Sequence, residues 1–332
     1  MARRTILLIL TAVLIVAAAA GLRARSHLLR PKAPAWRPPV PASSPAAAVL
    51  PAEPPDYVAR PVVEPAERTS GPGRIISLAP SITEVVCALG LADRLVGRTQ
   101  YCRHIPGVEH VAEVGAMEDA NLARIRGLGP DLVLVTANSG PLQENLRRLD
   151  LRCQAVPHES LEDVYRGIEV VGRLCDRPRT AARLVEAIRG DMARLREWAE
   201  KSGRPARRAL VVLGEMPVPP QPVFVAGPGI FLDALVEMAG HRNAGRELLR
   251  SSHGEIPLEK LLILDPDVIL EFRSSSTGPV MEDVYDAWAA VGPLKAVGRR
   301  QIRSVGGAEW LSAGPRIAVE FHRFLAALSE EP

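Results

Sequence analysis

Residues 122–136 recur as residues 258–272 without a gap, and five of the fifteen positions are identical: Leu122/Leu258, Leu128/Leu264, Pro130/Pro266, Asp131/Asp267 and Leu134/Leu270. Each copy reads as a short helix, a break and an apolar strand. In the first, Asn121 caps the helix, Gly129-Pro130-Asp131 breaks it, and Leu132-Val133-Leu134-Val135 forms the strand. In the second, Pro257 occupies the first turn, Asp265-Pro266-Asp267 is the break and Val268-Ile269-Leu270 the strand. A strand that is apolar at every position, rather than at alternate ones, is covered on both faces, as in a parallel sheet sandwiched by helices. Two copies of such a unit in one chain predict two α/β layers.

An earlier unit has the same logic. Arg74-Ile75-Ile76-Ser77-Leu78-Ala79 reads as a buried strand, and Pro80-Ser81-Ile82-Thr83-Glu84 opens a helix in which Ser81 and Glu84 form a capping box. Ile82, Val85, Val86 and Leu89 then recur at helical spacing, and Gly90 stops the helix. A weaker echo follows at Val223 to Ala226, Gly227-Pro228-Gly229 and Ile230 to Val236. Between the halves, Asp176 to Lys201 carries Leu184, Ile188, Met192 and Leu195 at three- and four-residue spacing, with Gly203 as its end. One helix there would span roughly 38 Å at 1.5 Å per residue. The expected fold is therefore α/β, with two Rossmann-like lobes joined by one long backbone helix and a ligand cleft between them.

The first 72 residues belong to neither lobe. Arg3 and Arg4 precede an uncharged apolar run from Thr5 to Leu22, with Ala18-Ala19-Ala20 as a small-residue cleavage site. The run is a signal peptide or, at the lower limit of length, a membrane anchor; both readings stand. No cysteine follows it, so an N-terminal lipid is not available. Residues 31–65 hold eleven prolines and read as a semi-rigid spacer or a tail. The organisation is then 1–22 signal or anchor, 23–72 Pro-rich linker, 73–175 N-terminal lobe, 176–203 linking helix and 204–332 C-terminal lobe.

The formal charge of +3 sits in this arm. Residues 1–72 carry nine Lys or Arg against four acids, which leaves the remainder at −2. A near-neutral body has no counterion-release term for binding phosphates, so nucleic acid is excluded as a partner. The four cysteines (Cys87, Cys102, Cys153, Cys175) show no CxxC spacing. Cys87 lies in an apolar helix as a small hydrophobe, and the other three are open to pairing in an oxidising compartment. There is no HExxH, GxSxG or Walker A motif. Gly227-Pro228-Gly229 begins like a dinucleotide fingerprint but has Leu232 where the third glycine belongs. No enzyme and no cofactor is expected.

The run Arg74-Ile-Ile-Ser-Leu-Ala-Pro-Ser-Ile-Thr-Glu, then Leu95-Val-Gly-Arg-Thr-Gln-Tyr-Cys, Val114-Gly and Asn121-Leu…Gly129-Pro-Asp-Leu-Val resembles the periplasmic binding proteins for vitamin B12 and iron siderophores. Pro257-Leu-Glu…Asp265-Pro-Asp and Trp310…Gly314-Pro-Arg-Ile extend the likeness, which covers residues 74–328 and lies nearest the B12-binding branch. The resemblance implies a bilobal monomer that captures a corrinoid, haem-like or ferric siderophore ligand and hands it to an ABC importer. It also implies one carboxylate on each lobe for docking the permease: Glu259 matches on the C-terminal lobe, while the repeat puts Ala123 at the N-terminal position, with Glu118 and Asp119 nearby.

In open α/β sheets, ligands sit at the carboxyl ends of strands. Applied to the expected strands, this places Ser81, Tyr101, Met117, Asn138 and His158 on the N-terminal side of a cleft, and Gly229 and Trp310 on the other. Tyr101 and Trp310 offer flat apolar area to a broad planar ligand, although Trp310 packed under the C-terminal helix is an equal reading. Met117 stands where the B12 branch carries a further aromatic. His104 and His158 are candidate metal or cobalt ligands, and loop histidines that are merely solvated are the alternative. A membrane-anchored sensor or scavenger with the same fold is the rival to the transport receptor.

Overall fold

The computed structural model describes residues 71–273, 281–306 and 313–329. The apolar run at 5–22, the Pro-rich linker and Trp310 lie outside these residues.

The first sheet is parallel throughout, in the order β3-β2-β1-β4-β5. Its strands are β1 (Ile75–Ser77), β2 (Leu95–Arg98), β3 (Ala112–Glu113), β4 (Leu132–Thr136) and β5 (Cys153–Val156). The helices between them are α1 (Pro80–Ala88), α2 (Leu122–Gly127) and α3 (Gly140–Arg148), and α4 (Leu161–Leu174) follows β5. The apolar run in β4 divides as a doubly covered strand must: Leu132 and Leu134 face one core, Val133 and Val135 the other.

The second sheet runs β11-β10-β6-β7-β9, with β8 also paired to β6. It comprises β6 (Arg208–Leu213), β7 (Val223–Ala226), β8 (Arg242–Asn243), β9 (His253–Ile256), β10 (Val268–Arg273) and β11 (Ile302–Gly306). Its helices are α6 (Phe231–Met238), α7 (Leu258–Leu264), α8 (Met281–Ala289) and α9 (Lys295–Gly298), and α10 (Ile317–Ser329) closes the chain. The α/β expectation, with a parallel sheet in each half, is met. One strand departs from it: β7 is antiparallel to both β6 and β9. The strand-turn-helix echo of β1 at residues 223–236 is therefore local only, and the central strand β6 is the true counterpart of β1.

Between the sheets in sequence lies α5 (Pro178–Lys201), of 24 residues. It begins two residues later than the composition suggested, because Asp176 takes a left-handed φ of 59° and Pro178 fixes the first turn. Leu184, Ile188, Met192 and Leu195 are buried, and the helix packs against both α4 and α10. One core cluster is shared by α5, the inner face of β1 and β4, and the inner face of β6 and β10 (Ala209, Val211, Val268, Leu270, Phe272). At about 1.5–3 kcal/mol for each large aliphatic removed from water, this shared core couples the two lobes strongly.

The duplicated break has one physical meaning in both copies. Asp131 accepts the main-chain N–H of Arg74 and donates its own N–H to the Arg74 carbonyl, both at 2.9 Å, while the Arg74 guanidinium reaches Leu128 O. Asp267 makes the same pair of 2.9 Å bonds with Arg208, whose guanidinium reaches Leu264 O at 2.7 Å. Gly129 and Asp265 both adopt positive φ (55° and 43°) to end the helix ahead of the proline. The units α2–β4 and α7–β10 are thus equivalent in hydrogen bonding as well as in sequence.

Candidate functional site

In the order 3-2-1-4-5 the chain leaves β1 in both directions, so the switch point lies between β1 and β4. At such a point the two flanking connections diverge and open a crevice at the carboxyl edge. The connection after β1 carries Ser81; the one after β4 carries Asn138.

Thr136, the last residue of β4, organises this crevice. Its hydroxyl lies 3.0 Å from Met117 Sδ, 2.8 Å from Asn138 Oδ1 and 2.6 Å from Ser139 Oγ. Ser139 in turn donates to the Thr136 carbonyl at 2.8 Å. Two of the expected site residues, Met117 from the β3–α2 loop and Asn138 from the β4–α3 loop, are therefore brought together by a third that the sequence reading passed over. The available signal was position: Thr136 is the one hydroxyl that ends the repeated apolar strand. Met117 is half-buried and Asn138 exposed. Gly115 permits the close turn leading to Met117, since its φ is 94° and a Cβ there would stand 2.6 Å from Asp119 O.

Tyr101 lies in the 3-10 turn Gln100–Cys102 after β2, 47% exposed. So large an unpacked ring is available as a stacking surface. Beside it Arg103 makes a bidentate ion pair with Glu113 at 2.8 Å, which holds the Glu113 carboxyl down at about 2. Ser81 is less accessible. The expected capping box is not formed: Pro80, with its preset φ, starts α1 at Ala79, so Ser81 and Glu84 fall inside the helix. Ser81 is buried beneath the C-terminal segment, where a Cβ on Gly314 would come within 3.4 Å of Ser81 Cα and 2.6 Å of Glu84 Oε2. A cavity of about 10 Å³ remains there, lined by Ser81, Val156, Pro157 and Ala313 among others. The capping box belongs instead to Ser160 and Asp163 at the start of α4.

His158 follows β5 and is half-buried. Burial pushes its pKa down, against the pull of Glu159 and Asp163, which favours the neutral ring. His104 sits 3.8 Å from the buried carboxylate of Glu84.

On the second sheet, Glu271 of β10 shapes the connection after β6, accepting Met216 N at 2.6 Å and Trp288 Nε1 at 3.2 Å. Val218, at the exposed tip of that connection, projects into solvent. Gly229 is not at the carboxyl edge of β6 and β10, because β7 runs the other way. Its N–H donates to Asp233, a buried carboxylate also bound by Asn243 and Arg246. Burial alone would raise the Asp233 pKa, but these hydrogen bonds outweigh it and lower it. The turn leads to the place where the lobes touch: Phe231 N donates to Glu159 O at 2.8 Å, and Ser252 Oγ bonds the Glu159 carboxylate. Glu259 is exposed on α7. All four cysteines are free, and Cys87, Cys102 and Cys175 are buried.

The described chain thus holds two α/β sheets, each with a switch point, separated in sequence by α5. Residues 75–305 match the family described as periplasmic binding protein. The chain belongs to that family. This periplasmic binding protein is 26% identical over 231 residues to an uncharacterised ABC transporter substrate-binding lipoprotein of Bacillus subtilis, a match spanning 68% of this chain and 70% of the relative. It is 26% identical over 244 residues to a vitamin B12-binding protein of Vibrio cholerae, covering 72% of this chain and 82% of that one. Among solved structures, a periplasmic heme-binding protein from Roseiflexus sp. RS-1 in apo form aligns with a TM-score of 0.66 and 22% identity, over 78% of this chain and 98% of that one. At that identity the likeness establishes the shared fold.

Proposed function

We propose that the chain is an extracytoplasmic receptor that captures a corrinoid, or failing that a haem or ferric siderophore, and delivers it unaltered to an ABC importer. The observation that carries the reading is the Thr136 cluster. It fixes Met117 and Asn138 side by side at the switch point, one soft apolar group and one polar amide, and the Tyr101 ring is exposed in the turn after β2. Broad planar ligands need that combination of flat apolar area with a few polar groups that fix orientation. Trp310, whose indole would offer flat apolar area, belongs to the proposed ligand set, and residues 5–22 either direct export or anchor the chain to the membrane.

The test is a thermal-shift titration of the chain lacking residues 1–70 with cyanocobalamin, with visible absorbance followed through gel filtration. A ligand that binds only the folded state raises apparent stability by mass action. Saturable stabilisation with co-eluting colour, and recovery of intact cobalamin, supports the reading. If cyanocobalamin, haemin and ferric hydroxamates all leave the melting temperature unchanged, the receptor reading fails. A second reading, a tethered sensor or scavenger, is favoured by Ala123 at the position where a docking carboxylate was expected.

A further inference from the structure

Glu159, between β5 and the capping box of α4, bonds to two segments of the second lobe. Its carbonyl accepts the main-chain N–H of Phe231 at 2.8 Å. That N–H opens α6 and has no acceptor within its own helix, so the first lobe caps a helix of the second. The Glu159 carboxylate accepts the hydroxyl of Ser252, in the lead-in to β9. Both contacts fall on one unit: Gly227 donates its N–H to Ser252 O at 2.7 Å, and a Cβ on Gly227 would collide with Ser251 O. The Glu159 end is equally fixed, because Ser160 and Asp163 form their capping box directly after it. Ala137 donates to Val156 O at 3.1 Å, so the connection after β5 begins beside the Thr136 cluster.

These bonds lie at the edge of a packed seam. Within it, Val164 and Ile168 of α4 share a core with Phe231 and Leu235 of α6. Next to it, the face of β7 and β9 that carries buried Ala226 turns outward. There Phe224 is 46% exposed, its ladder partner Glu255 is exposed, and its ring lies 5.4 Å from that of exposed His253. The Ser252 hydroxyl is also 3.1 Å from His253 Nδ1. Apolar contacts are non-directional, whereas a hydrogen bond weakens steeply when misaligned and so fixes a spacing. We infer, resting on the receptor reading above, that Glu159 is a positioning residue for ligand capture: its bond to Ser252 sets the spacing of the lobes in the ligand-free chain and holds them in the arrangement that binds. Apparent affinity scales with the fraction of molecules in that arrangement, so losing the bond weakens capture. The Glu159 side chain acts here as a hydrogen-bond acceptor, and its charge is incidental.

The experiment follows the full-length chain in detergent micelles by amide hydrogen exchange, and by titration with cyanocobalamin, haemin or a ferric hydroxamate. Exchange is read at the Phe231 amide, whose acceptor lies on the other lobe. Without ligand, Glu159→Ala and Ser252→Ala should each exchange there about three- to tenfold faster than wild type, the scale of one net hydrogen bond. Each should also bind the ligand about three- to tenfold more weakly. Saturating ligand should return Phe231 exchange to the wild-type rate. The double variant should be no weaker than either single one, because both remove the same bond. Glu159→Gln keeps an acceptor oxygen and should retain wild-type affinity and exchange. A merely structural contact would lower the melting temperature and leave affinity unchanged, and that result overturns the inference. So does Glu159→Gln binding as weakly as Glu159→Ala, which would make the charge the cause, or additive losses in the double variant. If wild type binds none of the three ligands, the receptor reading fails and this inference with it. Wild-type binding with unchanged affinity in Glu159→Ala sinks this inference only.

Discussion

Asp131 and Arg74 lock the start of β4 to the start of β1, the two strands that flank the switch point, through a main-chain bond in each direction at 2.9 Å, one of them to the Asp131 carboxylate. Asp267 and Arg208 do the same for β10 and β6. The repeated Pro-Asp is thus a register device, and it keeps the carboxyl ends of the same strands aligned at the other edge, where the candidate site lies.

Asp131→Ala and Asp267→Ala should each destabilise the protein by about 1–2 kcal/mol, the worth of charge-assisted hydrogen bonds at a partly exposed site. The two clasps lie in different sheets and share no partner, so the double variant should lose the sum within about 0.5 kcal/mol. Urea unfolding at pH 7 measures this, and a strongly sub-additive double variant would mean that the clasps are not independent.

His241 gives the stability a defined pH dependence. Its ring is buried, Nδ1 accepts the main-chain N–H of Arg207 at 3.2 Å, and burial, aided by Arg207 and Arg204, pushes its pKa down to about 4. The unfolded chain takes up a proton near the ordinary value of about 6.5, before the folded chain does. The contribution is therefore complete above pH 6.5 and is lost as pH falls toward 4, by about 2–3 kcal/mol. His158, also shifted down, acts in the same direction. In urea denaturation at pH 7 and pH 5, His241→Gln should be less stable than wild type at pH 7 but lose less on acidification; an equal loss in both proteins would remove His241 as the cause.

The thiols should be chemically quiet. Burial pushes Cys87 up to about 12 and Cys175 to about 11, and raises Cys102 as well, despite Thr83 and Thr99 within 3.3 Å. Only the thiolate reacts. Thiol titration at pH 8 should find Cys153 alone reactive in the native protein and all four in denaturant. Fewer than four in denaturant would reveal a disulfide.

Ligand affinity should depend on the cluster at the end of β4. Thr136→Val keeps the shape but removes the hydroxyl that joins Asn138, Ser139 and Met117, and should weaken binding by about 0.5–1.5 kcal/mol. Tyr101→Ala and Trp310→Ala should each cost roughly 1–3 kcal/mol if the rings cover the ligand. Isothermal titration with whichever ligand stabilises the chain measures all three, and unchanged affinity in every variant would move the site elsewhere.

Much of the fold could be read directly. Apolar periodicity determines which face of a strand or helix can be buried, so β4, β10 and α5 emerged from Leu132–Val135, Val268–Leu270 and the Leu184–Leu195 stripe as buried elements. The clasp residues Asp131 and Asp267 were visible as repeats, though not their partners, because the bonds span 57 and 59 residues. Other features depended on neighbours distant in sequence. Periodicity is blind to strand direction, so only the pairing of Val212 with Val225 made β7 antiparallel and moved Gly229 away from the carboxyl edge. Ser81 has the composition of a cap, and only the approach of Gly314 buried it. The sequence by itself determined two α/β layers and the loops that end their strands; tertiary structure decided which of those loops meet, because Thr136 can join Met117 to Asn138 only after β1, β3 and β4 are laid in one sheet.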